Sequence, residues 1–386
     1  MSRGEVIGAD KSMAQLLISG FYLFYFALVG VYIIFLPKML LGSGFTAIEV
    51  GVIYSAAPFM RFLLPFVFWH FIELSHSVYK ISLAITLLTT LLFYITIDSF
   101  TLYLIANLIF GASMGVALPF VEIIALRVIS KERYGKVRLW GSVGFTLIAL
   151  WLGQTLSSPR EGLLYLSAMA LATLLFGYLV IRYDTEVKSD KGVKEQNRDF
   201  SLMRYWAFWL SAFLLQVSFG GFYNFFTIYE TANGISLETT SYLWSFGVLC
   251  EIVLFYYQGP LLKRNLLTLL KLTITSAIIR WALLYLYPDS LTVAYLSQSL
   301  HAFSFALYYT VVISYVYSLY TQKRLAQQFL LGLSFGLGGS MGAVLAGWVY
   351  EIDSSWIFGM ESAIALLSLI ALYTHESRRK RVGAIG

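Results

Sequence analysis

Apolar runs of about 20 residues or more, separated by short polar breaks, repeat from one end of this chain to the other. Each run is long enough to cross a hydrocarbon layer about 30 Å thick as a helix. The pattern predicts helices over 13–41, 46–72, 78–97, 101–129, 134–156, 162–182, 205–230, 237–262, 266–286, 291–320, 325–349 and 356–374. The predicted fold class is an all-α polytopic membrane protein with 12 transmembrane helices in two pseudo-symmetric six-helix bundles. The only long hydrophilic stretch, 183–204, carries mixed charge and no apolar core, and it reads as a cytoplasmic linker. The expected division is therefore an N-terminal bundle over 1–182 and a C-terminal bundle with a basic tail over 205–386.

Composition fits this reading. Of 386 residues, 59% are hydrophobic and 12% charged, and a soluble chain carries about twice that charge fraction. The single cysteine, Cys250, leaves no internal disulfide. The first run is too long for a signal-peptide core and is expected to be retained as a span. Of the 27 lysines and arginines, all but Lys38, Arg160, Arg61 and Arg280 fall at the termini, in the connections from even to odd helices or at the helix ends that flank those connections. That bias predicts cytoplasmic termini in a cytoplasmic (inner) membrane. The excess positive charge is thus topological, and no nucleic-acid partner is expected. The basic tail Arg378, Arg379, Lys380 and Arg381 follows the same bias.

The halves resemble each other. A shift of 190 residues lays GFTAIEVGVIYS (44–55) on GISLETTSYLWS (234–245) and pairs Gly44 with Gly234, Thr46 with Ser236, and Arg61 with Glu251. Repeated six-helix halves predict a midplane substrate site and a rocking motion between them.

Ionisable side chains inside apolar helices are costly and mark function or tight pairing. In PFVEIIALRVISKERYGKVRLWGSVGF (119–145), Glu122 and Arg138 each lie eight residues from position 130. Across a helical hairpin they stand at matched depth, roughly 12 Å above the turn. Glu251, Arg280 and His301 fall on successive helices of the second half and suggest a proton relay or ion-pair switch. Arg61 is a candidate for gating, or for pairing with Glu251. Asn224 offers an orienting hydrogen bond. His70, Glu73 and His76 have a spacing open to a metal, but their interfacial position argues against one. No metal, cofactor or enzymatic nucleophile is expected.

These motifs resemble the major facilitator superfamily, and within it the lactose permease and phenylpropionate permease relatives. The resemblance implies that Glu122 and Arg138 hold substrate and that Phe145 stands where a ring-stacking tryptophan sits. It further implies that Asn224 contributes to binding and that Glu251, Arg280 in IIRW and His301 in SLHAFSFA couple substrate to protons. Ser304 occupies the place of the family's proton-carrying glutamate, so Glu251 is the expected carrier, with His301 positioning it. FWLSAFLLQVSFGGFYNFFTIYE, SLHAFSFALYY and LSFGLGG are closer to the phenylpropionate branch. The expected protein is a monomeric symporter, not an enzyme, that imports a small organic solute with protons by alternating access. An aromatic carboxylate is the leading cargo, with a sugar or nucleoside as alternative. A non-transporting membrane sensor is the reading from another class.

Overall fold

The computed structural model describes residues 3–70, 74–129, 131–184 and 200–383. Among these the regular structure is entirely helical. Among the described residues, ten helices are long and apolar enough to cross a membrane. In chain order the α-helices are α1 (Arg3–Gly30), α2 (Leu36–Gly42), α3 (Ala47–His70), α4 (His76–Thr96), α5 (Phe100–Val128), α6 (Lys131–Thr155), α7 (Pro159–Val180) and α8 (Trp206–Val217). They continue as α9 (Gly220–Ala232), α10 (Leu237–Tyr257), α11 (Leu266–Leu286), α12 (Leu291–Ser299), α13 (Tyr308–Leu319), α14 (Lys323–Phe329), α15 (Gly339–Ile352) and α16 (Ile357–Gly383). Wider π-turns over Val31–Phe35, Ala302–Leu307 and Leu330–Gly338 interrupt the first, tenth and eleventh predicted spans.

The helices are built for lipid. On α4, Ile81, Leu88 and Ile95 repeat every seven residues and are exposed. The opposite face buries Ser82, Thr86, Thr89 and Thr90. Thr86 donates to the Ser82 carbonyl and the Ser113 hydroxyl, both at 2.9 Å. Apolar side chains turn outward, while hydroxyls turn inward and bond across helices, because hydrocarbon offers polar groups no partner.

The chain divides into two compact units, Met1–Phe45 with Phe66–Lys191 and Thr46–Pro65 with Gly192–Gly386. In the first, α1 packs on α6 and α7, and α4 on α5 and α7. In the second, α8 and α11 pack on α16, and α9 on α15. Most of α3 belongs to this second unit. A Cβ on Gly51 would stand 2.6 Å from the Ala343 carbonyl and 3.0 Å from the Gly347 Cα, so a bare glycine lets the two helices meet along their backbones.

The internal repeat survives in local geometry. Gly44 (φ 101°) and Gly234 (φ 86°) are the positive-φ residues among those described. Gly44 donates to the Leu41 carbonyl and Phe45 to that of Leu40, both at 3.2 Å. Gly234 and Ile235 repeat the offsets onto Thr231 at 3.4 Å and Glu230 at 3.0 Å. Both are left-handed helix stops that glycine adopts without steric cost. Each leads into a hydroxyl-capped helix, with Thr46 Oγ1 accepting from Glu49 N–H and Ser236 Oγ from Thr239 N–H.

One predicted span is corrected. The run 205–230 is two helices, α8 and α9, broken at Ser218 and Phe219. The Ser218 hydroxyl folds back onto the Leu215 carbonyl at 2.7 Å. Gly220 then places its backbone directly against that of Gly342 on α15.

Candidate functional site

The predicted ionisable residues gather into two clusters, one in each unit. In the first, α5 supplies Glu122 and α6 supplies Arg138. Arg138 Nε stands 3.8 Å from Glu122 Oε1, with both side chains half-buried. The Arg138 guanidinium lies over Phe26 at 4.1 Å and Tyr22 at 5.1 Å from the ring centroids. Two α1 rings thus hold its plane, and the rings' faces favour the cation. The aromatic density of α1 is in part a cradle for this arginine. Phe145, half-buried, lies near Gly30 of the same helix.

In the second unit Arg280 on α11 is completely buried. Its Nη1 meets His301 Nδ1 at 2.6 Å and Ser304 Oγ at 3.5 Å, and Nη2 donates to Gln298 Oε1 at 3.0 Å. Its plane covers Phe222 at 4.0 Å and Trp281 at 4.5 Å. On the far side of the imidazole, His301 Nε2 stands 2.6 Å from Glu251 Oε1 on α10.

The proton positions in this row follow from donor chemistry. Arginine only donates, so His301 Nδ1 must be the acceptor and carry no hydrogen. The ring hydrogen is then on Nε2 and points at the Glu251 carboxylate. The arrangement reads Arg280 to neutral His301 to Glu251. An imidazolium cannot fit without displacing the guanidinium, because two donors and two like charges would face each other at 2.6 Å.

Other candidates fall differently. Asn224 Nδ2 donates to the Gly220 carbonyl at 2.6 Å, beside the break between α8 and α9. Arg61 is exposed, and no ion pair to Glu251 or any other acid joins it among the described residues. Glu73 and the side chain of His70 lie outside the described residues. His76 Nε2 bonds instead to Asp184 Oδ2 at 2.7 Å, and Asp184 also accepts from Arg127 at 3.2 Å.

Two acids escaped the sequence reading. Glu230, the last residue of the predicted run 205–230, is fully buried at the end of α9, and neither carboxylate oxygen has a hydrogen-bond partner among the described residues. Glu361 is fully buried on α16 and accepts from the Gly221 and Phe222 amides, the latter at 3.2 Å. A lone carboxylate inside an apolar run was the available signal for Glu361.

Comparison with known proteins gives one direction. The model of the MFS_1 like family matches residues 15–360. The probable 3-phenylpropionic acid transporter of Escherichia coli (strain K12) is 25% identical over 362 residues, covering 89% of this chain and 93% of that protein. The uncharacterized transporter YwbF of Bacillus subtilis (strain 168) is 24% identical over 368 residues, covering 92% and 89%. Among solved structures, the nucleoside transporter NupG superposes with a TM-score of 0.78 at 18% identity, covering 94% of this chain and 98% of that one. The human organic anion transporter MFSD10 superposes with a TM-score of 0.64 at 16% identity, covering 94% and 99%.

Proposed function

We propose, from the premise that this chain belongs to the MFS_1 like family and is a multi-pass transporter of the major facilitator type, that it imports a small aromatic carboxylate together with protons. The observation that carries the coupling is the buried row Arg280–His301–Glu251. A charged network is costly to keep inside apolar helices, and proton relays are among the functions that retain one. Glu251 is the proton carrier. Its carboxylate accepts from His301, a bond that is stronger while Glu251 is ionised. Protonation weakens that bond and frees the imidazole to reorient, which loosens the hold on Arg280.

Arg138 is the anion-binding group. Its guanidinium suits a carboxylate fork, Glu122 orients it, and Tyr22 and Phe26 beside it, with Phe145 further along α6, cover an apolar ring. The relative named for 3-phenylpropionic acid supports this cargo. Glu122 favours a second reading, a proton-coupled nucleoside or sugar symporter, because a half-exposed carboxylate accepts from cargo hydroxyls. The chain works as a monomer in the cytoplasmic membrane with both termini inside, as its basic residues favour.

Uptake of labelled 3-phenylpropionate into cells expressing the protein, challenged with unlabelled competitors, decides the cargo. Inhibition by aromatic carboxylates but not by nucleosides or galactosides is expected. The opposite order of inhibition overturns the carboxylate reading in favour of the second.

A further inference from the structure

Glu361 sits on the last spanning helix, outside every role assigned so far. Its Oε1 accepts from the Gly221 and Phe222 amides, the second and third residues of α9. The carboxyl therefore stands where an N-cap side chain belongs, although it comes from another helix. Phe219, the residue at that position in the chain, supplies no side-chain cap. Gly221 makes the approach possible, because a Cβ there would lie 2.7 Å from Glu361 Oε1.

Capping accounts for one oxygen only. Oε2 is buried without a hydrogen-bond partner, and no ion pair to Glu361 occurs among the described residues. The charged group within electrostatic reach is Arg280 on α11. Its guanidinium is committed to His301 and Gln298, and its own Nε is also buried and unpartnered. The two groups share one support, since Arg280 stacks on the Phe222 ring while Glu361 holds the Phe222 amide.

Neighbouring helices supply little else. Lys271 on α11 is taken by Glu376 at 2.5 Å, and Glu351 on α15 accepts from the Ala47 amide at 2.6 Å. On α9, Tyr223 lies within electrostatic range of Glu251, Arg280 and Arg61, and Tyr229 donates to the Leu284 carbonyl at 3.0 Å. Glu230 lies at the far end of α9, and α8 carries no ionisable side chain. On α15, Tyr350 stacks on Phe225. Arg280 is the cation that answers Glu361, and through His301 it answers Glu251.

We propose that Glu361 is a second proton-binding carboxyl of the transport cycle. It carries a proton while Arg280 is held by His301, and it loses that proton when Arg280 turns to pair with it. The magnitudes favour this assignment. An ionised carboxylate buried with one oxygen bare carries the desolvation cost of a whole charge, whereas a neutral acid with one unmet hydroxyl carries only the smaller cost of a single unmade hydrogen bond. The proton comes from the aqueous phase and returns to it. Oε1 keeps the α9 amides in both states, so the helix break remains capped while Oε2 changes charge. This inference rests on the proton-coupled reading above.

The test is an infrared titration of the full-length protein in lipid without substrate, comparing wild type, Glu361→Gln and Glu251→Gln. Wild type is expected to show the carbonyl stretch of a protonated carboxyl that fades as pH rises. That band should vanish in Glu361→Gln and persist in Glu251→Gln. Glutamine still caps α9, so a purely capping, ionised Glu361 leaves the protonated-carboxyl region the same in wild type and Glu361→Gln. That result, or a band that never titrates, overturns the proposal. Should Glu361→Gln fail to fold, Glu361→Asp must shift the band, and an unshifted band overturns the proposal equally. Because no transport is measured, a chain that fails proton-driven uptake but shows this band sinks the coupling reading alone.

Discussion

His301 offers Arg280 a bare nitrogen. The guanidinium reaches Nδ1 at 2.6 Å while Nε2 stands 2.6 Å from Glu251, so a buried arginine is held by a neutral imidazole instead of by a carboxylate. Arg280 is thereby left ready to accept an anion, and the acid that polarises the imidazole stands one residue further along the row.

In protein labelled with ¹⁵N-histidine, which carries four histidines, the resonance lost on His301→Gln should show an unprotonated Nδ1 and a protonated Nε2. A ring protonated at Nδ1 contradicts the arrangement, because arginine has no acceptor to offer it.

Glu251→Gln keeps an oxygen for His301 but cannot carry a proton. Uphill accumulation is expected to disappear while exchange of internal for external substrate continues. Both rates are read in the same vesicles. Undiminished accumulation assigns the carrier role elsewhere.

Arg138→Met should raise the apparent KM for a carboxylate, since losing a charge-assisted hydrogen bond costs about 1.5–3 kcal/mol, roughly ten- to a hundredfold. Arg138→Lys recovers the charge but not the flat stack on Phe26 and Tyr22, so its KM should fall between the two. A KM equal to wild type in both variants removes Arg138 from the anion site.

Gly220→Ala probes the helix break. The new methyl would meet the backbone of Gly342, which cannot rotate aside as a side chain does. Overpacking typically costs about 1–3 kcal/mol, so the thermal midpoint of the protein in detergent should fall. An unchanged midpoint means that α9 and α15 are not locked at this contact.

Some of this molecule is legible in its sequence, and some is not, for physical reasons. Hydrocarbon thickness sets the length of an apolar run, so most spans can be read directly from Met13 to Thr374. The Gly44 and Gly234 stops show because a left-handed residue selects glycine. The Glu122–Arg138 pair follows from equal spacing about a turn. The broken run at Ser218 reads as continuous in sequence because its composition stays apolar. What interrupts it comes from the Gly342 backbone and the Glu361 carboxyl, more than 100 residues away in the chain. Glu361 itself gives no periodic signal, and only packing shows that its partners are amides. The exposed Arg61 and the inward turn of Asn224 onto Gly220 likewise depend on tertiary neighbours.

The most direct measurement of the coupling claim is uptake of labelled 3-phenylpropionate by proteoliposomes given an inward proton gradient, with and without an uncoupler. Accumulation above the outside concentration that collapses when the gradient is discharged is expected. Accumulation that survives the uncoupler, or entry that never exceeds equilibration under a full gradient, contradicts the coupling claim.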